Sequence, residues 1–156
     1  MVDREQIKSL LLAYESAGGV SDEAIRDAEL RLGVRFPPSY RAFLAEYGNI
    51  HGTPFEIAGL SQEIAKDDEP PYWWDVVACN IQLRRVAGEL IPKDYVAISD
   101  DGGDYKFYLD TNRRDSQGEC PVIVLGPGMD GVVVANSFID FLRRSIERTI
   151  DFCLLT

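Results

Sequence analysis

The residues best placed to do chemistry are four carboxylates, Asp100, Asp101, Asp104 and Asp110, crowded around Gly102 and Gly103. A hard cation such as Ca²⁺ takes oxygens of this kind, but an EF-hand loop needs its glycine sixth and a bidentate Glu twelfth, which this spacing does not supply. The spacing favours a β-turn in which Asp and Gly relieve backbone strain. The same carboxylates then form an acidic rim suited to a basic partner, and no metal is expected. His51 is the single histidine, so a multi-histidine metal site is excluded and His-dependent acid–base chemistry has one candidate, with Glu46 or Glu56 beside it. Between Asn49 and Pro54 it reads more simply as a surface or turn residue. Cys79, Cys120 and Cys153 are odd in number and widely spaced. They read as reduced, mostly buried thiols, since a disulfide framework or zinc ribbon needs closer and more numerous partners. Gly126-Pro127-Gly128 lacks the lysine and helix of a phosphate loop and reads as a hairpin turn, and neither Gly-x-Ser-x-Gly nor His-Glu-x-x-His occurs. The expectation is a protein that is not an enzyme and carries no cofactor.

Binding is the alternative to catalysis, and one segment is built for it. Asp67-Asp68-Glu69-Pro70-Pro71-Tyr72-Trp73-Trp74 joins acidic residues, which steer, to large aromatic anchors of the kind enriched at binding hot spots. Each tryptophan could equally pack under the loop as a core aromatic. Adjacent helical residues point about 100° apart, which argues against full burial of both. The chain has 16 basic and 26 acidic residues, a net charge of −10, and a pI near 4.5. Such a surface repels phosphate backbones, so nucleic acid and anionic membranes are poor partners. A basic protein is a good one, although acidity also serves solubility alone. The pairs Arg84-Arg85, Arg113-Arg114 and Arg143-Arg144 are too scattered for a basic patch and read as a solvated face.

The elements that must position these residues fit one domain. With 46% hydrophobic and 27% charged residues in a chain of 156, a continuous core is affordable in size. The N-terminus enters an amphipathic pattern directly and the apolar runs are too short to span a bilayer, so the chain reads as cytoplasmic. A first helix is predicted over about Arg4–Ala17, stopped by Gly18-Gly19. Ser21 is placed to cap a second helix carrying Ile25, Ala28 and Leu32, with Gly33 to end it. Pro38 suits the first turn of a third, whose Tyr40, Phe43, Leu44 and Tyr47 form one apolar face before Gly48. Phe55–Leu60 reads as a strand, Trp73–Ala87 as a helix and Pro92 as its stop. Two strand pairs follow, Tyr95–Ser99 with Tyr105–Asp110 and Val122–Leu125 with Val132–Ala135. In Tyr105–Asp110, residues alternate as expected of a sheet with one covered face. Asn136 or Ser137 then caps a closing helix. The fold class expected is α+β: N-terminal helices, a central antiparallel-rich mixed sheet and a C-terminal helix.

One residue breaks the apolar stripe of the second helix. Glu29 falls within it, so its carboxylate must find a donor or stay at the boundary. From there the string Glu29, Leu32-Gly33, Phe36-Pro37, Tyr40, Phe43-Leu44 and Gly48-Asn49 resembles the opening signature of the SUKH superfamily, and more narrowly its Smi/Knr-type members. Pro92, Tyr95, Gly102-Gly103-Asp104, Tyr108, Asp110 and Asn136-Ser137-Phe138-x-x-Phe141-Leu142 are similar to the family's later motifs. The match covers about residues 21–147. It departs at Asn49, where relatives often carry glycine, and at Ile50-His51-Gly52, which lengthens that loop. The resemblance implies a central sheet flanked by helices and a protein-binding role. By that resemblance the role is immunity, since most bacterial members look like proteins that neutralise a toxin, frequently a nuclease, whereas others are fungal or viral regulators that bind proteins. It implies no catalytic residues. The matched residues read as architectural, leaving the acidic aromatic segment and the Asp-rich turn as the partner-binding expectation. A small-ligand binder or enzyme is the remaining reading and would need a deep pocket with convergent polar groups.

Overall fold

The computed structural model describes residues 4–12, 14–16, 18–51, 55–62, 75–148 and 150. Among them run helices α1 (Arg4–Leu11), α2 (Asp22–Leu32), α3 (Pro38–Glu46) and α4 (Val76–Ala87), then strands β1 (Tyr95–Asp100), β2 (Lys106–Asp110), β3 (Val122–Gly126) and β4 (Met129–Ala135), and helix α5 (Phe138–Glu147). The strands form one antiparallel meander in the order β1-β2-β3-β4. This is the expected α+β layout. The parallel pairing found among the described residues is an isolated bridge from Gly59 to Asp75.

The helix ends follow their capping residues. Ser21 Oγ accepts the Ala24 N–H at 3.2 Å, and Gly33 closes α2 in the left-handed region at φ 70°. Ser137 Oγ takes the Asp140 N–H in α5, and Asp75 takes the Ala78 N–H in α4 at 2.9 Å. The cap on α3 comes from far away. Pro37 offers no side-chain acceptor, and Glu119 reaches across 80 residues to receive both Ser39 N–H at 3.0 Å and Ser39 Oγ–H at 2.6 Å. A carboxylate there also meets the positive end of the helix dipole.

Three expectations change. The first helix stops at Leu11 and not at Ala17, because Glu15 leaves it to bridge His51 and Tyr14 packs its ring 5.1 Å from Phe55. Phe55–Leu60 is not a strand of the sheet. It is a strap of isolated bridges, Ile50 with Ile57 and Gly59 with Asp75, laid along the open side of β1 through Ala58 N–H to Ile98 O at 2.8 Å. The sheet is also covered on more than one face. Tyr108, which alternates with the core residues Phe107 and Leu109, is buried in a second small cluster with Ala97 and Ile123, against which Leu83 of α4 packs.

The main core joins the helices to the sheet's other face. Tyr40, Phe43 and Phe138 stack between α3 and α5, with Tyr40 and Phe138 centroids 4.9 Å apart, and Phe107 of β2 lies 5.0 Å from Phe141. Leu32, Leu44 and Leu142 are buried in the same cluster. Three backbone segments meet so closely that side chains are excluded. A Cβ on Gly59 would stand 1.7 Å from Gly48 O, and one on Gly19 would stand 1.8 Å from Ala45 O. Gly48 also has a positive φ of 75°.

Candidate protein-binding surface

The carboxylates of the Asp-rich cluster do different things. Asp110 is buried and receives Arg113 Nε–H at 2.7 Å and the Asn112 N–H. Asp100, Asp101 and Asp104 are exposed on the β1–β2 turn. Asp100 Oδ1 accepts the Gly102 N–H at 2.8 Å, and Asp101 Oδ1 accepts those of Gly103 at 2.8 Å and Tyr105 at 3.2 Å. These are side chains copying a backbone turn, as the spacing suggested. Each Oδ2 is left without a hydrogen-bond partner among the described residues, so the turn presents carboxylates already fixed in orientation.

A depression of about 300 Å³ opens between this turn and α5. Asp100 and Asp101 edge it on one side and Arg144 and Arg148 on the other, with Phe55, Phe107, Phe141 and Ile150 between them. Phe107 and Phe141 are buried and make its floor, while Phe55 and Ile150 are half-buried walls. Arg144 is held to the Asp140 carboxylate at 3.1 Å, which Arg143 shares at 2.6 Å. Arg148 is exposed and closes α5 at φ 55°, a positive φ found at no other non-glycine residue among those described. Non-glycine residues in that region are uncommon and mark strain or function.

Of the residues the sequence offered as partner-facing, Asp100 and Asp101 edge this depression and Asp104 does not line it, while its other side went unforeseen. Phe55 was hidden in a predicted strand and Arg144 in a presumed solvated pair, and nothing local marks Arg148. Arg84 and Arg114 also differ from a solvated face. Arg84 donates to Lys93 O at 2.9 Å, and Arg114 donates to Gly118 O and Arg35 O, stapling loops. Asp67, Asp68, Glu69, Tyr72, Trp73 and Trp74 lie outside the described residues.

The other residues with chemical potential are committed to structure. His51 Nε2 is 3.2 Å from the Glu15 carboxylate and Nδ1 is 3.1 Å from Asn49 Oδ1, tying the loop after α1 to the loop after α3. Cys79 and Cys120 are buried free thiols, and burial pushes both pKa values up, that of Cys120 to about 11. Protonated thiols are poor nucleophiles and poor ligands. Cys153 lies outside the described residues. Among the described residues no group of three or more His, Cys, Asp or Glu is arranged to hold a metal ion. A larger open groove of about 530 Å³ beside α2 is lined by Leu30, Val34 and three arginines. Two of these, Arg26 and Arg41, are already paired with Asp22, and Arg41 also binds Glu29. No helix among the described residues is long and apolar enough to cross a membrane.

Several motif residues make contacts that join elements. Glu29 does find donors: Oε2 accepts the Phe36 N–H at 2.7 Å, and Oε1 pairs with Arg41, locking the Phe36-Pro37 corner between α2 and α3. Tyr40 is fully buried and its hydroxyl donates to Ala58 O at 2.7 Å, holding the strap against α3. Pro92 starts the turn into β1 and accepts the Tyr95 N–H. Gly103 sits in the carboxylate-braced turn beside Asp104.

No curated protein matches this chain at a significant level. A family model does match, over residues 19–144, described as the SMI1 / KNR4 family (SUKH-1). The span runs from the Gly19 contact with α3 to the last turn of α5, and so takes in the glycine junction, the Glu29–Arg41 lock and the whole meander. With most of its length matched and the motif residues forming its joints, the chain belongs to the SMI1 / KNR4 family (SUKH-1).

Proposed function

We propose that this protein is an immunity-type protein, a single domain acting in the cytoplasm that binds a cognate basic toxin domain and neutralises it by occlusion. Family membership over residues 19–144 carries the class of function. The excess of 26 acidic over 16 basic residues supports the sign of the partner. A negative field speeds encounter with a cationic partner and disfavours nucleic acid, so a nuclease domain would be met through its own basic substrate-binding surface. The partner-facing residues in this reading are Asp100, Asp101 and Asp104, together with Asp67, Asp68, Glu69, Tyr72, Trp73 and Trp74. The absence of a reaction follows from the same proposal: occlusion needs a rigid surface and not an acid–base pair.

The test is co-expression with a toxin domain encoded beside the gene. Protection of the cells, with a stable complex on size-exclusion chromatography, is the expected result. A neighbouring toxin that kills equally well in the presence of this protein overturns the reading and leaves a regulatory protein-interaction module in its place.

A further inference from the structure

We propose that the depression between the β1–β2 turn and α5 seats an arginine or lysine side chain of the partner. Its aliphatic stem lies on the aromatic floor and its cation meets Asp100 and Asp101. This rests on the reading that the chain binds a basic protein, and it says where and by what contact.

Shape comes first. The depression of about 300 Å³ is open to solvent, and Phe55, Phe107, Phe141 and Ile150 make its interior apolar. Long cationic side chains cover apolar surface with their stems while keeping the charged head in a polar setting. A cation near aromatic faces gains further attraction from the ring quadrupole.

Charge then selects the occupant. Arg144 is not available to recruit an anion, because Arg143 and Arg144 share Asp140 and Arg143 also faces Glu147 at 3.5 Å, a locally neutral group. What remains around the mouth is Asp100 and Asp101 against Arg148. Lys106 lies opposite Asp100 in the β1–β2 register and lines a separate crevice of about 40 Å³ with Cys79. The mouth is therefore net negative on a chain of net charge −10, and a cation fits it where an anion does not.

The carboxylates are also set in advance. One oxygen of each of Asp100 and Asp101 is bound to turn amides, so the second is aimed without further ordering on binding. Preorganisation of this kind lowers the entropic cost of association.

The test titrates the full chain, ¹⁵N-labelled, with the peptide acetyl-Gly-Arg-Phe-amide and with its Gly-Glu-Phe counterpart, following amide resonances. The arginine peptide is expected to shift Gly102, Gly103 and the Ser145–Arg148 turn, and the glutamate peptide is not. The double variant Asp100→Asn/Asp101→Asn keeps an oxygen to accept the turn amides but removes both charges. It should bind the arginine peptide about five-fold more weakly, from two exposed charge pairs. Arg148→Gly removes the opposing cation at a backbone position glycine prefers, and should bind it more tightly. No response to the arginine peptide, equal response to both peptides, or unchanged affinity in both variants overturns the proposal. Because no toxin enters this experiment, a chain that protects cells but fails it keeps its function and loses this seat.

Discussion

Tyr40 shows how much a single polar atom decides here. Its ring is in edge contact with Phe36 at 5.0 Å, and its hydroxyl is the link between α3 and the Phe55–Leu60 strap. Burial raises the hydroxyl's pKa well above its ordinary value, so it stays a donor at any physiological pH. Tyr40→Phe preserves the packing and removes the donor to Ala58 O, leaving a buried carbonyl short of a partner. A loss of about 1–3 kcal/mol in urea denaturation is expected. An unchanged midpoint would mean that the strap is held by Ile57 and the glycine junction alone. At this scale the sequence was informative where a residue broke a pattern. Glu29 stood in an apolar stripe, and its demand for donors was legible, but Arg41 and the Phe36 amide as the donors were not. That answer depends on the turn angle between two helices. The Gly59–Gly48 contact was illegible for the same reason: a glycine's neighbours across space leave no mark on its own neighbours in sequence.

At the scale of elements, the edge of the sheet is where sequence reasoning stopped. β1 has β2 on one side only, and an open edge invites pairing with another chain. Asn80 of α4 closes it. Its carboxamide accepts the Ala97 N–H at 2.7 Å and donates to Ala97 O at 3.0 Å, imitating a neighbouring strand while α4 covers the face above. One residue on, Ile98 is skipped in the β1–β2 register, and its carbonyl turns to the strap through Ala58. Periodicity reports facing, and helical spacing puts Asn80 on the inward side of α4 with Val76 and Cys79. It read Phe55–Leu60 as a strand because an edge-covering strap and a strand carry the same alternation. Asn80→Ala leaves the Ala97 amide and carbonyl buried without these partners. It should cost about 2–4 kcal/mol, read as a lowered urea midpoint with the denaturant slope unchanged. A loss below about 0.5 kcal/mol, the range of ordinary surface substitutions, would show that water replaces the carboxamide and that the edge is not sealed.

At the scale of the molecule, buried ionisable groups link the core to pH. Burial raises the pKa of Tyr108 to about 12 and that of Cys120 to about 11, with a smaller rise at Cys79. Each of these groups is neutral when protonated, so the folded state holds its protons where the unfolded chain releases them. Their contribution to stability is fully present below the unfolded values, near pH 9 for the thiols and 10 for the phenol, and is lost as pH rises through the folded values. For Cys120 this loss falls between about pH 9 and 11. A net charge of −10 adds self-repulsion over the same range, and salt separates the two effects because it screens surface charges and barely touches a buried thiol. The expected result is a urea midpoint that falls steeply above about pH 9 in both low and high salt, with the fall reduced in Cys120→Ala relative to that variant's own value at pH 7. A decline abolished by about 0.5 M salt would assign alkaline sensitivity to the acidic surface and not to the core. The two halves of the molecule are then distinguishable by experiment: a charged exterior that responds to salt, and a tightly jointed interior that responds to proton release.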